Sequence, residues 1–339
     1  MIASVLVVRL GALGDLVHAL PAVAAMRRAW PDARIDWLVD ARYRALLGFV
    51  PIIDRTIVTG GTDGPSLVHV LRALRRERYD VAVDLQGLIK SAAIARLSGA
   101  RRVVGFATPL LRERAAGIFY TTRVAADDAG HVIRKNLSVA SALGAGGDAI
   151  ELPLRVPDSP CVAELRQTLG LATDGAFAMI NPGAGWPNKQ WPVDRFGALA
   201  AHLRDRHGLR STVTWGPSER ALAESVVRAS SGAAAVAPAT DIGDLLALAR
   251  AASLCVAGDT GPAQLAAAVG RPVVGIFGPT NPARNGPWAA GDTSVSRFHD
   301  CQCHHKRRCR RPQPCIDTIG LDEVVAAVDR RLASGRSRG

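Results

Sequence analysis

Aromatic residues are scarce. Phe, Trp and Tyr make up 5% of the 339 residues, and there are only three methionines. Cores must therefore be built from Ala, Val and Leu, and few rings are left to stack the bases of a single-stranded nucleic acid. No apolar run approaches the roughly 18 to 20 residues that cross a bilayer as a helix. The N-terminus, Met1-Ile2-Ala3-Ser4-Val5, enters a strand pattern directly, with no basic segment followed by a cleavable apolar one. These absences predict a soluble, cytoplasmic protein. No glycine loop carries the Lys-Ser/Thr of a Walker A sequence, and none has the three-glycine spacing of a dinucleotide fingerprint. An NAD-binding domain is disfavoured.

What is present is the balance of a folded chain, with 48% hydrophobic and 21% charged residues. The length suits two domains, each with its own core. The net charge is +12, from 42 Lys+Arg against 30 Asp+Glu, and it is spread over both halves. A basic surface suits nucleic acid, an anionic membrane face or a phosphorylated substrate. The excess of arginine over lysine suits bidentate recognition of phosphate and carboxylate.

The first half alternates strands and helices. Strand patterns cover Ser4–Arg9, Ile35–Val39, Arg55–Val58 and Val81–Leu85, and helical spacing covers Leu16–Ala29, Leu67–Arg78 and Ala92–Leu97. Such alternation predicts a parallel sheet with helices on both faces, and ligands beyond the carboxyl ends of its strands. Two polar loops fall at such ends. Gly11-Ala12-Leu13-Gly14-Asp15 offers a carboxylate that either caps the next helix or serves as a general base. In Asp84–Ser91, Lys90 opens a helix, where a cation is out of place unless an anion lies nearby.

Gly- and Pro-rich sequence from Gly144 to Pro160 reads as a linker after the helix Val132–Leu143, so the domains are drawn as 1–157 and 158–339. The alternation then restarts. Strands are expected at Phe177–Ile180, Ser211–Trp215, Val236, Leu254–Ala257 and Val273–Phe277. Helices are expected at Val193–His207, Ser218–Ser230, Ile242–Ala252, Ala263–Val269 and Leu321–Leu332, followed by a frayed tail from Ala333. Two successive α/β domains place a substrate cleft between them. Four polar loops follow strands here: Asn181–Trp191, Trp215–Glu219, Gly258–Gly261 and Gly278–Asn281. Asp259-Thr260-Gly261 at a helix start is either an N-cap or a phosphate cradle. With Lys189 for phosphate and Glu219 for ribose, a nucleoside diphosphate is the economical ligand.

The ordered set Gly11-x-x-Gly14-Asp15, Asp84-x-Gln86-Gly87-Leu88-x-Lys90-Ser91, Asn181-Pro182-Gly183-Ala184, Lys189-x-Trp191-Pro192, Trp215-Gly216, Asp259-Thr260-Gly261 and Phe277-Gly278-Pro279-Thr280 resembles glycosyltransferase family nine, the ADP-heptose:lipopolysaccharide heptosyltransferases. The resemblance runs over residues 4 to 290. It implies a GT-B fold, α/β, with two Rossmann-like domains of mostly parallel sheets facing a central cleft. The first would bind the acceptor and the second the nucleotide-sugar. It implies an inverting displacement with no required cofactor, ADP-heptose as donor and a lipid A-linked Kdo or heptose acceptor at the inner face of the inner membrane.

Asp15 would be the catalytic base, with Gly14, Gln86, Lys90 and Ser91 toward the acceptor. Lys189, Glu219, Asp259, Thr260, Gly261, Gln264 and Thr280 would hold the donor. Gln264 stands where many members have histidine, which opens the donor's identity to another nucleotide-sugar.

Four of the six cysteines cluster as Cys301-x-Cys303-x5-Cys309-x5-Cys315, with His304 and His305 between them and five Lys/Arg residues from Lys306 to Arg311. Metal ligation and a reduced structural loop are both open readings, and the spacing is not that of a zinc ribbon. Two other functions stand beside the transferase. A nucleic-acid-binding protein would use this Cys/His knuckle and the basic charge, but would leave two α/β domains unexplained. A nucleotide-sugar epimerase of GT-B fold would need no acceptor.

Overall fold

The computed structural model describes residues 2–60, 67–304, 306–309 and 311–336. His305, Arg310 and the last three residues of the expected tail lie outside them. The chain divides into two compact units, Met1–Arg155 and Val156–Gly339.

The first unit runs β1 (Ser4–Val8), α1 (Leu13–Ala29), β2 (Arg34–Asp40), α2 (Arg44–Leu47), β3 (Arg55–Thr59), α3 (Leu67–Glu77), β4 (Val81–Asp84), α4 (Ile89–Leu97), β5 (Arg102–Phe106), β6 (Thr122–Val124) and α5 (Val132–Ala142). Its strands order as β3-β2-β1-β4-β5-β6, every pairing parallel. A strand covered on both faces has no wet side, so Val5 to Val8 and Val81 to Val83 are continuously apolar and buried rather than alternating. On α1 every residue from Leu16 to Met26 is buried, a helix sunk in the core rather than amphipathic.

The second unit runs α6 (Pro160–Thr168), β7 (Phe177–Asn181), α7 (Val193–His207), β8 (Arg210–Val213), α8 (Arg220–Ala229), β9 (Ala234–Val236), α9 (Ile242–Ala251), β10 (Leu254–Gly258), α10 (Gly261–Ala268), β11 (Val273–Phe277), α11 (Pro282–Asn285), β12 (Thr293–Ser296) and α12 (Leu321–Arg336). Its order is β12-β11-β10-β7-β8-β9, again all parallel. Numbered from β7, this is the order of the first unit read from the other edge. Each sheet therefore reverses direction once, between β1 and β4 and between β7 and β10. At that reversal the loops splay apart, leaving the crevice where doubly wound sheets bind ligands.

Among the expected boundaries that shift, three have a plain physical reason. α1 begins at Leu13 rather than Leu16, because the Asp15 carboxylate turns back to accept the Ala12 N–H at 3.1 Å and closes the first turn. The linker stops short of Pro160, since Ser159 caps α6 through the Cys161 N–H and proline suits the first helical position. α8 starts at Arg220 rather than Ser218, whose φ of +70° is left-handed. α12 continues through Ala333 to Arg336, where a frayed tail was expected. Among the described residues no helix is long and apolar enough to cross a membrane.

Candidate functional site

In the first unit the chain leaves β1 through Arg9 and Leu10, both tied to neighbouring strand ends. The Trp37 indole donates to the Arg9 carbonyl at 3.1 Å, and the Leu10 N–H donates to Gln86 Oε1 at 2.8 Å. The Arg9 guanidinium, 11% exposed, lies across the reversal point. It donates to the Leu85 carbonyl on the far side and places Nη2 2.7 Å from Asp15 Oδ2. Asp15 keeps 42% of its side chain exposed. Desolvation pushes its pKa up, but the charges of Arg9 and His18 and the Ala12 N–H outweigh it, so the carboxyl is held below the usual range. Asp15 is thus an ionised, half-open carboxylate pinned from one side. Gly11 is required beside it, because a Cβ there would meet the Tyr43 ring at 2.4 Å.

The loop after β4 is organised around Asp84, which is fully buried. It accepts from the Tyr120 hydroxyl at 2.7 Å, the Gln86 N–H at 2.8 Å, Ser91 Oγ at 3.0 Å and the Gly87 N–H at 3.3 Å. Burial raises its pKa, against the pull of those four donors. Gly87 takes a φ of +74°, which turns the chain back into α4.

The acceptor-side residues read from sequence separate here. Gly14 sits in the first turn of α1 beside Asp15, and Lys90 is exposed on the first turn of α4. Gln86 is spent on Leu10. Ser91 is buried, its hydroxyl 3.0 Å from both Asp84 Oδ2 and the Leu88 carbonyl, so that its one proton is shared between them. Ser91 therefore shapes the loop rather than facing solvent.

In the second unit the reversal point is bridged by an ion pair. Lys189 Nζ lies 2.6 Å from Asp259 Oδ2, with side chains 13% and 14% exposed. Lys189 also lies 4.7 Å from the centre of the Trp186 ring. The fit is close, since a Cβ on Gly258 would meet the Lys189 carbonyl at 3.2 Å. Thr260 is the N-cap of α10 but makes no side-chain capping bond. Its Oγ1 and that of Thr280 are shielded from solvent and have no hydrogen-bond partner among the described residues. A shielded hydroxyl without a partner costs free energy, so two of them, on the loops that follow the adjacent strands β10 and β11, mark a place for a polar ligand.

Glu219 accepts the Gly216 N–H at 3.0 Å, and its carboxylate occupies the space a Cβ on Gly183 would need. This fixes the spacing of the loops after β7 and β8. Gln264 is turned away: it is buried, and its amide donates to the Asn285 carbonyl at 2.7 Å, bracing α10 against α11.

The cysteine loop packs under the same loops. Cys301, Cys303 and Cys315 are buried and Cys309 packs against them, with Cys303 Sγ 2.7 Å from Cys309 Sγ. Burial, then contact with Cys301, pushes the Cys315 thiol up to about 12. Asn188 Nδ2 donates to the Lys306 carbonyl at 2.8 Å, and Gly278 abuts Ile316 and Cys315. The loop therefore anchors the turn that carries Lys189. Cys161 and Cys255 are buried singly, Cys255 in β10.

The sequence gives no site role to Arg9, Tyr120 or His18. Arg9 had a signal, an arginine closing an otherwise apolar strand. Tyr120 had none, since it meets Asp84 from 36 residues away.

A profile of glycosyltransferase family 9 (heptosyltransferase) matches residues 67–315. Lipopolysaccharide heptosyltransferase 1 of Pseudomonas aeruginosa is 29% identical, over 97% of this chain and 98% of that one. The crystal structure of the glycosyl transferase family 9 from Veillonella parvula superposes with a TM-score of 0.81 at 21% identity, covering 98% and 97% of the two chains. E. coli heptosyltransferase WaaC with ADP-2-deoxy-2-fluoro heptose superposes with a TM-score of 0.73 at 23% identity, covering 96% and 99%.

Proposed function

This chain belongs to glycosyltransferase family 9, and we propose that it is an inverting transferase that moves a heptose from ADP-heptose onto the Kdo or heptose of a lipopolysaccharide inner core. The observation that carries the reading is Asp15: a half-exposed carboxylate at the reversal point of the first sheet, kept ionised by Arg9. In the reaction the acceptor hydroxyl gives its proton to Asp15 as its oxygen attacks the anomeric carbon. The bond from that carbon to the β-phosphate oxygen breaks, and ADP departs with the electron pair. No cofactor is needed for this balance.

The second unit supplies the leaving-group site. The first amides of α10, at Thr260 and Gly261, and the positive end of the helix suit a diphosphate. Lys189 suits the same charge. A carboxylate would repel phosphate, so Asp259 orients Lys189 and accepts a sugar hydroxyl rather than touching the diphosphate. The unpartnered hydroxyls of Thr260 and Thr280 serve as donors there, and Glu219 reaches the ribose. Since the Gln264 amide is committed to Asn285, it is the least suited of these residues to read the sugar, and a different nucleotide-sugar is the second reading of the donor.

The acceptor side is the first unit, with Lys90 toward acidic groups of the sugar. Its surface supports contact with the cytoplasmic face of the inner membrane. Ile118 is 73% exposed and Ile89 43%, with the exposed Arg112 and Arg114 between them in sequence. The Ile89 N–H donates to Glu113 at 2.7 Å, which brings these segments together. Exposed isoleucines and arginines on these joined segments suit an anionic lipid surface carrying the acceptor.

The test is ADP release from ADP-heptose in the presence and absence of a Kdo-bearing lipid A acceptor, repeated across a panel of nucleotide-sugars. Release that requires the acceptor and is fastest with ADP-heptose is the expected result. Acceptor-independent turnover, or none with any donor alongside tight salt-dependent binding of RNA or DNA, overturns it.

A further inference from the structure

At the opposite edge of the second sheet from its ligand loops lies another cluster of ligating side chains. α7 starts at the carboxyl end of β7 and finishes at His207, where Gly208, with a φ of +67°, ends it at the amino end of β8. His202 and His207 project from its last two turns, and Asp329 faces them from the middle of α12. Both imidazole Nε2 atoms converge on one oxygen, Asp329 Oδ1, at 2.9 Å from His202 and 2.6 Å from His207. The three ligating atoms all lie within 4.8 Å of one another.

From this geometry we propose that His202, His207 and Asp329 form a binding site for a borderline divalent cation of the Zn²⁺, Ni²⁺ or Co²⁺ class, which staples α12 to α7. Two imidazoles and a carboxylate are the donor set such cations prefer over Ca²⁺ or Mg²⁺. Ligand bonds of about 2.0–2.1 Å in a tetrahedral set put neighbouring ligand atoms about 3.3–3.4 Å apart. The Nε2 atoms stand 2.9 and 2.6 Å from Oδ1, close enough that side-chain rotation alone opens the site for an ion.

Both rings would bind in the tautomer that carries the proton on Nδ1. His202, at 26% side-chain exposure, and Asp329, at 39%, leave an approach for the ion and room for water on its remaining positions.

The helices so joined already share a core. Val324, Ala327 and Val328 of α12 pack with Phe196, Leu199 and Leu203 of α7. The cation adds a cross-link at the solvent end of this seam, and because the unfolded chain scatters the three ligands, binding stabilises the fold by mass action.

The test uses the full-length chain without an affinity tag, under reducing conditions, titrated with NiCl₂ and followed by calorimetry and thermal unfolding. The wild type should take up a saturable equivalent and its Tm should rise by several degrees. His202→Ala, at a part-exposed position, should lose both that equivalent and the shift. Asp329→Asn is the second variant should His202→Ala fail to fold. A Cys309→Ser variant should keep the equivalent. With Co²⁺ the wild-type spectrum should show weak visible bands of nitrogen and oxygen ligation that vanish in His202→Ala. The absence of saturable binding in the wild type overturns the proposal. So does an equivalent that survives in both His202→Ala and Asp329→Asn, or one lost with Cys309, because the ion then sits elsewhere.

Discussion

Lys189 and Asp259 sit on loops of adjacent strands, 70 residues apart, yet their charges meet at 2.6 Å across the reversal point of the second sheet. Each is nearly buried, so each depends on the other for a partner. On the proposed reading, a diphosphate entering beside them would share the ammonium with the carboxylate rather than find it free.

Lys189→Ala therefore removes the phosphate's cation and strands Asp259 at once. Charge-assisted hydrogen bonds contribute about 1.5–3 kcal/mol, which corresponds to a loss of roughly tenfold to a hundredfold in ADP affinity. Calorimetric titration with ADP measures it, and an unchanged affinity would remove Lys189 from the donor site.

Asp15→Asn keeps the size and the bond to the Ala12 N–H but cannot take a proton. Turnover should fall by about 10²–10⁴-fold, the usual worth of a general base. ADP affinity and Tm should stay close to wild type. Retained turnover would exclude Asp15 as the base.

The pH dependence follows from Arg9. Asp15 is held below the usual carboxylate range, so the base stays ionised through mild acid and activity is lost only as pH falls through that depressed value. In Arg9→Met the largest attraction is gone and desolvation is left to push the pKa up. The acid limb of kcat/KM should move to higher pH while the plateau persists; a limb that does not move would mean Asp15 is not the titrating group. Since Arg9 also holds the Leu85 carbonyl, thermal unfolding should be recorded alongside.

The Asp84 network makes a stability prediction. Tyr120→Phe leaves a buried carboxylate one donor short, and an unsatisfied buried group costs about 1–3 kcal/mol. Gly105→Ala should cost a similar amount by another route, because the new Cβ would lie 2.4 Å from the Tyr120 ring. Both losses are read as a lower midpoint in urea. A Tyr120→Phe midpoint equal to wild type would show that water replaces the hydroxyl.

Much of this fold was legible in the chain because its strands are buried on both faces. Continuous apolar runs such as Val5–Val8 and Val273–Phe277 leave little ambiguity, and α7 falls at Val193–His207 as its periodicity indicates. What escaped was β5, whose apolar run of Val103 and Val104 is cut short by Gly105, and beyond it elements that are short or settled by distant contacts. β6 and β12 are the outermost strands of their sheets, three and four residues long, with little burial to pattern them. The inward turn of Ser91 depends on Asp84, and that of Gln264 on the Asn285 carbonyl, and neither contact leaves a local trace. Loop residues were legible as polar groups after strands, but not which way each would point.

The repeated strand order has a consequence for how this chain can diverge. Each sheet has the same address, the gap where the order of strand addition reverses, and the two addresses are built from separate stretches of sequence. On the proposed reading, substitutions after β1 and β4 would retune one reactant, and those after β7 and β10 the other. Two specificities can drift independently on one scaffold, while the apolar strands beneath them stay fixed.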